Sequence, residues 1–325
     1  MHSPLIFTGN ANRPLAEEIA RHLGVTVGRA LVSTFKDGET WVDVADSVRH
    51  GDVFIIQPTC PPVNDHLMEL LTMMDAMHRA SARQMTAVVP YYGYSRQEKR
   101  SKGREPISAK LVANLMATAG ADRVLTVDLT APAIEGFFDI PVDNLRAGRI
   151  LATYCLDHFP LCDAVVVSPD VGGVERANKF RQMTGTQAEL AVVFKEHPEA
   201  ETTEMMGMVG EVKGKTAIIL DDIISSGDTI IKAAELLVER GASKIYVCAT
   251  HPVFAEGAIE RIHDSAIEKV VVTDSIPVPR DQCGAKIEVA SVAPLLAEAI
   301  ACIHEGRSMS TLYKRLKARP MESKE

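Results

Sequence analysis

An α/β protein, with parallel sheets flanked by helices, is predicted by the way this chain alternates. Short apolar, β-branched runs at 4–8, 52–57, 86–90, 124–128, 164–168, 216–220, 245–250 and 270–273 are separated by segments of helical period. Such alternation implies crossover helices between parallel strands. At 325 residues the chain exceeds the size at which one hydrophobic core usually stops growing, so two domains are expected. A repeat suggests that the two are copies of one unit: Ala119-Gly-Ala-Asp-Arg-Val-Leu-Thr-Val is echoed by Arg240-Gly-Ala-Ser-Lys-Ile-Tyr-Val.

Taken in order, Asn64 is placed to cap a helix that carries Leu67, Leu70, Leu71, Met74 and Met77 on one face, and Ser108 to cap one that stops at Gly120. A third helix is expected over 229–241. Met68, Met73, Met74, Met77 and Met85 read as core packing, because a flexible thioether fills irregular gaps. The boundary is expected near 144–148, giving domains 1–145 and 146–325.

Composition narrows the function. Apolar residues make up 46% and charged residues 24%, ordinary for a globular protein with a sizeable core. A formal net charge of −8 argues against broad attraction to nucleic acid or an anionic membrane, so any anion site must be local. The six cysteines form no CxxC pair and read as reduced thiols. No apolar run approaches the roughly 20 residues needed to cross a bilayer, and a cytoplasmic location is expected.

The most specific segment runs Lys215-Thr-Ala-Ile-Ile-Leu-Asp-Asp-Ile-Ile-Ser-Ser-Gly-Asp-Thr-Ile: an apolar strand, two adjacent carboxylates, a short Ser/Gly loop, then a helix. Backbone N–H groups of Ser225, Ser226, Gly227, Asp228 and Thr229 would cradle a phosphate at the positive end of the helix dipole. Asp221 and Asp222 would accept hydrogen bonds from ribose hydroxyls or bind magnesium. A second cluster, 91–108, carries Arg96, Lys99, Arg100, Lys102 and Arg104 in an otherwise acidic chain. It has the make-up of a mobile clamp for a triphosphate. Asp170 follows a strand and precedes Gly172 and Gly173, which let a ligand approach the backbone, so it is read as a magnesium ligand.

The Ser/Gly loop resembles the phosphoribosyl-diphosphate loop of the phosphoribosyltransferase fold. Further segments, Phe35-Lys-Asp-Gly-Glu, Gln57 with Asn64-Asp-His-Leu-Met-Glu, Tyr94-Ser-Arg-Gln-Glu-Lys, Pro106-Ile-Ser-Ala-Lys-Leu, Gly136-Phe-Phe-Asp-Ile-Pro and Val167-Ser-Pro-Asp-Val-Gly-Gly, look like successive signatures of ribose-phosphate pyrophosphokinases along almost the whole chain. The resemblance implies two phosphoribosyltransferase-type domains, with the active site between them and at a subunit contact, and a homo-oligomer, commonly a hexamer. It implies ATP and ribose 5-phosphate as substrates, Mg2+ as cofactor, and phosphoribosyl diphosphate and AMP as products. ATP would be met by Phe35, Asp37, Gly38 and Glu39 at the adenine and by Arg96, Gln97 and Lys99 at the phosphates. Lys195 matches the family's catalytic lysine, a point charge beside the transferring phosphoryl oxygens.

Four positions depart from the family pattern. Thr130 stands where a histidine beside the metal is usual, and His197 where an arginine usually assists the lysine. In the loop, Ser225 replaces an aspartate and Asp228 a small residue. A histidine supplies less charge than an arginine near neutral pH, and a carboxylate aimed at a phosphate repels it unless it turns outward or meets a cation. An active enzyme with a variant site is expected; the alternatives are a catalytically weak regulatory paralogue and, behind it, a phosphoribosyltransferase.

Overall fold

In the computed structural model, which describes residues 3–161, 163–185, 188–196 and 205–312, the chain forms two compact units. The first holds β1 (Leu5–Thr8), α1 (Arg13–Leu23), β2 (Ala30–Thr34), β3 (Thr40–Val44), β4 (Asp52–Ile56), α2 (Val63–Arg79), β5 (Gln84–Val89), α3 (Ser108–Thr118), β6 (Arg123–Val127) and β7 (Val142–Leu145). The second holds α4 (Gly148–His158), β8 (Ala164–Ser168), α5 (Val174–Thr184), β9 (Glu189–Glu196), β10 (Met205–Val209), β11 (Thr216–Ile224), α6 (Asp228–Glu239), β12 (Lys244–Pro252), α7 (Ala258–Asp264), β13 (Lys269–Thr273), α8 (Arg280–Cys283) and β14 (Ile287–Ala290). Residues 291–312, with α9 (Ala293–His304), return to the first unit. The sequence division had assigned them to the second.

The first unit is a five-stranded parallel sheet in the order β1-β4-β5-β6-β7. Its inner strands are mostly apolar because both faces are covered, whereas the edge strand β7, Val142-Asp-Asn-Leu, is half polar. Phe7, Val53, Ile55, Ala87, Val89 and Val124 face a core closed by Leu70, Met73, Met74 and Met77 of α2 and Val112, Ala113 and Met116 of α3. The expected methionine packing is therefore found, except that Met68 is exposed. The alternate residues Ile6, Phe54, Ile56, Val88 and Leu125 are buried on the opposite face, and α1 and α9 pack against each other. A separate antiparallel hairpin, β2–β3, turns at Phe35–Glu39.

The second unit is a seven-stranded sheet in the order β10-β9-β8-β11-β12-β13-β14, parallel except for the edge strand β10. One face, with Val167, Ile219, Val247 and Val272, packs on Ile230, Ala233, Ala234 and Leu237 of α6. The other, with Val166, Ile218, Tyr246 and Val271, packs on Leu151 and Cys155 of α4 and Ala177 and Phe180 of α5.

The sequence repeat has a physical counterpart. Gly120 (φ 105°) and Gly241 (φ 82°) both take the left-handed conformation that ends a helix. Ala121 then donates to Met116 O, and Ala242 to Leu237 O. The next residues, Asp122 and Ser243, donate to Met85 O in β5 and to Lys215 O just ahead of β11. Two of the expected caps differ: α2 starts at Val63 and α3 follows Ile107, with no side-chain cap on either. Asn64 instead accepts from the Tyr94 hydroxyl, and Ser108 donates to Gln97.

One buried carboxylate ties α9 to the sheet. Asp52 accepts from Arg83 at 2.6–2.8 Å through both oxygens and lies 3.0 Å from Nδ1 of His304. Replacing Asp52 with Asn weakens this charged contact, so amide exchange in α9 should quicken by about tenfold, the effect of one hydrogen bond to a charged group. Exchange in β11 and β12 of the second unit should not change; mass-spectrometric exchange of wild type and Asp52→Asn checks both.

Candidate active site

Parallel sheets place ligands at the carboxyl ends of their strands, where loops and helix N-termini converge. The second unit follows this rule at β11. Asp221 and Asp222 lie within the strand, which runs on to Ile224 and is therefore longer than the expected 216–220. Strand alternation would point the two carboxylates to opposite faces. A single guanidinium nevertheless reaches both: Arg176 Nη1 lies 3.2 Å from Asp221 Oδ1 and Nη2 lies 3.0 Å from Asp222 Oδ2. Asp221 Oδ1 also accepts from the Asp222 N–H at 2.8 Å. Burial pushes the Asp221 carboxyl up to about 8, with the charge of Asp222 adding to the rise and Arg176 opposing it.

Arg176 is a site residue that the sequence motifs do not reveal. Its signal was present, since it stands in the first turn of α5, directly after the Gly172-Gly173 pair, where a long side chain leans back toward the helix start. The same turn organises Asp170. Asp170 Oδ1 accepts from Gly173 N at 2.7 Å, and Ser168 Oγ donates to Asp170 O at 2.7 Å. A Cβ on Gly173 would come within 2.8 Å of Ser168 Oγ, so the glycine is required by close approach. Asp170 itself is exposed.

The loop Ser225–Gly227 joins β11 to α6, with Gly227 at φ 83° as the N-cap. Asp228 is the first residue of α6; its Oδ2 accepts from Ser226 Oγ at 2.9 Å and its Oδ1 lies 3.8 Å from Arg261. This carboxylate is thus accompanied by a cation and a helix N-terminus, so it is not a bare negative charge beside the loop. Lys195 is in β9, its backbone opposite Met206 of β10, and His197 lies outside the described residues.

In the first unit the hairpin turn is closed by Phe35 N to Glu39 O at 2.8 Å and Gly38 N to Phe35 O at 3.0 Å, with Gly38 at φ 96°. Asp37 Oδ1 accepts from Glu39 N. The Phe35 ring is half exposed, 6.2 Å from that of Trp41, and so keeps a face for stacking. The cationic segment folds as successive turns: the Glu105 carboxylate takes the N–H groups of Ser101 and Lys102 at 2.8 and 2.9 Å. Arg96, Gln97 and Lys99 are exposed, Lys99 beside Glu98 at 3.2 Å. Gln97 Oε1 accepts from Ser108 Oγ at 2.5 Å, so its amide oxygen is already engaged by the start of α3. Thr130 Oγ1 donates to the Ser95 carbonyl at 3.1 Å, a brace on the root of that segment.

Gln57, quoted among the family signatures, is buried in a polar network with Glu69 and the Ala11 N–H. It holds the loop after β1. Among the described residues, no three His, Cys, Asp or Glu side chains gather as a cage for a metal ion.

Comparison with known proteins bears on both units. A family model described as the N-terminal domain of ribose phosphate pyrophosphokinase matches residues 4–120, and one described as a phosphoribosyl synthetase-associated domain matches residues 191–314. The chain is 53% identical over 308 residues to a ribose-phosphate pyrophosphokinase of Caldanaerobacter subterraneus, covering 95% of this chain and 97% of that protein. To one from Bacillus caldolyticus it is 50% identical over 312 residues, or 96% and 98%. The crystal structure of a phosphoribosylpyrophosphate synthetase from Mycobacterium smegmatis superposes with a TM-score of 0.88 at 42% identity, covering 94% of this chain and all of that one. With relatives this similar over nearly their whole length, and a matching architecture in both units, the chain belongs to the ribose-phosphate pyrophosphokinase family.

Proposed function

We propose that this chain transfers the diphosphate of Mg-ATP to the 1-hydroxyl of ribose 5-phosphate. The observation that carries the reading, within the family, is the pair Asp221 and Asp222 forked by Arg176 directly ahead of the loop Ser225–Gly227 and the N-terminus of α6. Paired acceptors suit the vicinal hydroxyls of ribose, and a helix N-terminus with loop N–H groups suits its 5-phosphate. The 1-oxygen attacks the β-phosphorus. The bond from that phosphorus to the α,β-bridging oxygen breaks, AMP leaves, and the hydroxyl proton is released.

ATP is assigned to Phe35, Asp37, Gly38 and Glu39 at the base and to Arg96, Gln97 and Lys99 at the phosphates. The exposed ring of Phe35 and the exposed side chains of Arg96 and Lys99 support this. Gln97 would contribute its amide N–H2, since its oxygen is engaged by Ser108. Asp170 would hold Mg2+. One exposed carboxylate fits an ion that keeps several waters and takes its other ligands from substrate phosphates, and the ion would neutralise charge on those phosphates. Thr130, committed to the Ser95 carbonyl, serves the segment better than the metal. Lys195, with His197 beside it in sequence, would stabilise charge on the transferring group. By the same family reading the chain works as a homo-oligomer, a hexamer, in the cytoplasm.

The first test is formation of AMP from Mg-ATP and ribose 5-phosphate by the purified chain, abolished by a chelator and restored by Mg2+. Normal ATP binding with no AMP would favour the regulatory-paralogue reading instead. Lys195→Ala should lower kcat by roughly two to four decades while leaving the thermal transition in place, as expected on losing one preorganised donor; an unchanged kcat removes Lys195 from the mechanism. His197→Arg should raise kcat/KM, because a permanent cation replaces a mostly neutral ring.

The raised pKa of Asp221 also sets a pH dependence. A free carboxyl ionises near 3.8 and this one only near 8. Between those values the folded substrate-free protein retains a proton that the unfolded chain gives up. Its contribution to stability therefore falls as pH rises from about 4 to about 8. Thermal melts across that range should show a slope that flattens in Asp221→Asn.

A further inference from the structure

The loop that the proposed function gives to the 5-phosphate is shaped from behind by a short stretch of chain, 254–261. Three consecutive carbonyls are taken by it. Phe254 N donates to Ile224 O at 3.0 Å, Ala255 N to Ser225 O at 3.0 Å, and Arg261 Nη2 to Ser226 O. In a planar trans peptide the carbonyl of one residue and the N–H of the next point in opposite directions. Capturing the carbonyls of Ile224, Ser225 and Ser226 on one side thus turns the N–H groups of Ser225, Ser226 and Gly227 toward the other. That is the arrangement an anion-binding concavity needs.

Two of the three captures are backbone to backbone and belong to the fold. The third depends on one side chain, and it secures the peptide that leads into Gly227, whose φ of 83° begins α6. Arg261 has a second task. Its Nη2 lies 3.8 Å from Asp228 Oδ1, the carboxylate at the first position of the same helix. Without it, Asp228 would set a negative charge at the N-terminus that is to receive a dianionic phosphate. Both side chains are about half exposed, at 47% and 60%, so the pair is reachable by solvent and by substrate.

We propose, resting on the sugar-phosphate reading of this loop, that Arg261 is a positioning residue for the 5-phosphate. It fixes the direction of the Gly227 N–H through the Ser226 carbonyl, and it offsets part of the charge of Asp228. It does not touch the reacting atoms and acts only through the loop.

The test is a KM-against-kcat split joined to direct binding. Arg261→Gln should raise the KM for ribose 5-phosphate by about tenfold, the cost of one charge-assisted contact. The KM for ATP should stay within about twofold, and kcat at saturating ribose 5-phosphate should change little. Calorimetric titration with ribose 5-phosphate should show the same weakening. Adding Asp228→Gly to Arg261→Gln should recover part of the loss, whereas Asp228→Gly alone, where Arg261 already offsets part of that charge, should change the KM for ribose 5-phosphate by less. Arg261→Lys, which keeps a cation, should fall between wild type and Arg261→Gln and serves if the glutamine variant folds poorly. Equal binding of ribose 5-phosphate by wild type and both Arg261 variants overturns the inference, as does a parallel rise in both KM values. A wild-type chain that does not bind ribose 5-phosphate would instead refute the sugar-phosphate reading itself.

Discussion

Two carboxylates in adjacent positions, largely buried and with one guanidinium between them, form the constraint around which the second unit is arranged. Like charges this close raise each other's cost of ionisation, and burial raises it further. Arg176 offsets part of that cost by reaching both Asp221 and Asp222. To supply that guanidinium, α5 must start where it does, and the start is made by Gly172-Gly173 and the turn that fixes Asp170. A strand end, a helix start and a glycine pair are thereby tied to one charge problem. Substrate hydroxyls and a cation would meet acceptors already oriented, which is the form catalysis takes when positioning and charge neutralisation do most of the work.

The sheet strands were legible because a parallel sheet covered on both faces demands unbroken apolar, β-branched runs. The eight runs read from the sequence are all strands, most of them within one or two residues at each end. Six strands of the described residues are not among those runs: β2, β3, β7, β9, β10 and β14, of which β7, β10 and β14 are sheet edges and β2–β3 a separate hairpin. The hairpin β2–β3 alternates half-buried and exposed residues, and β10 is an edge strand paired antiparallel to β9. The far end of β11 also escaped. Two aspartates looked like a strand's finish, yet pairing continues to Ile224 against Pro252 of β12. The missed caps share one cause: Asn64 and Ser108 found partners in the cationic segment, where a propensity argument expects only the local backbone.

At the site, motif and spacing pointed to the carboxylate pair, the phosphate loop and Asp170, since each lies in a short contiguous stretch. Arg176 and Arg261 were not seen. Each acts on residues 35 to 45 positions away in sequence, and no local pattern carries that information. The concern over Asp228 was sound as electrostatics but incomplete, because a cation reaches it from α7, a helix the sequence reading did not single out.

The return of α9 to the first unit alters what linear order means for this chain. Residues 146–290 form one unbroken stretch, so the second unit is whole as soon as it has been synthesised. The first is interrupted, and α9, with Leu295, Leu296, Ala299 and Ile300 fully buried, is made after the whole of the second unit. On the ribosome the later unit is therefore the earlier one to be complete. The amino-terminal sheet must wait with part of its apolar surface uncovered until the chain has passed through its neighbour and come back.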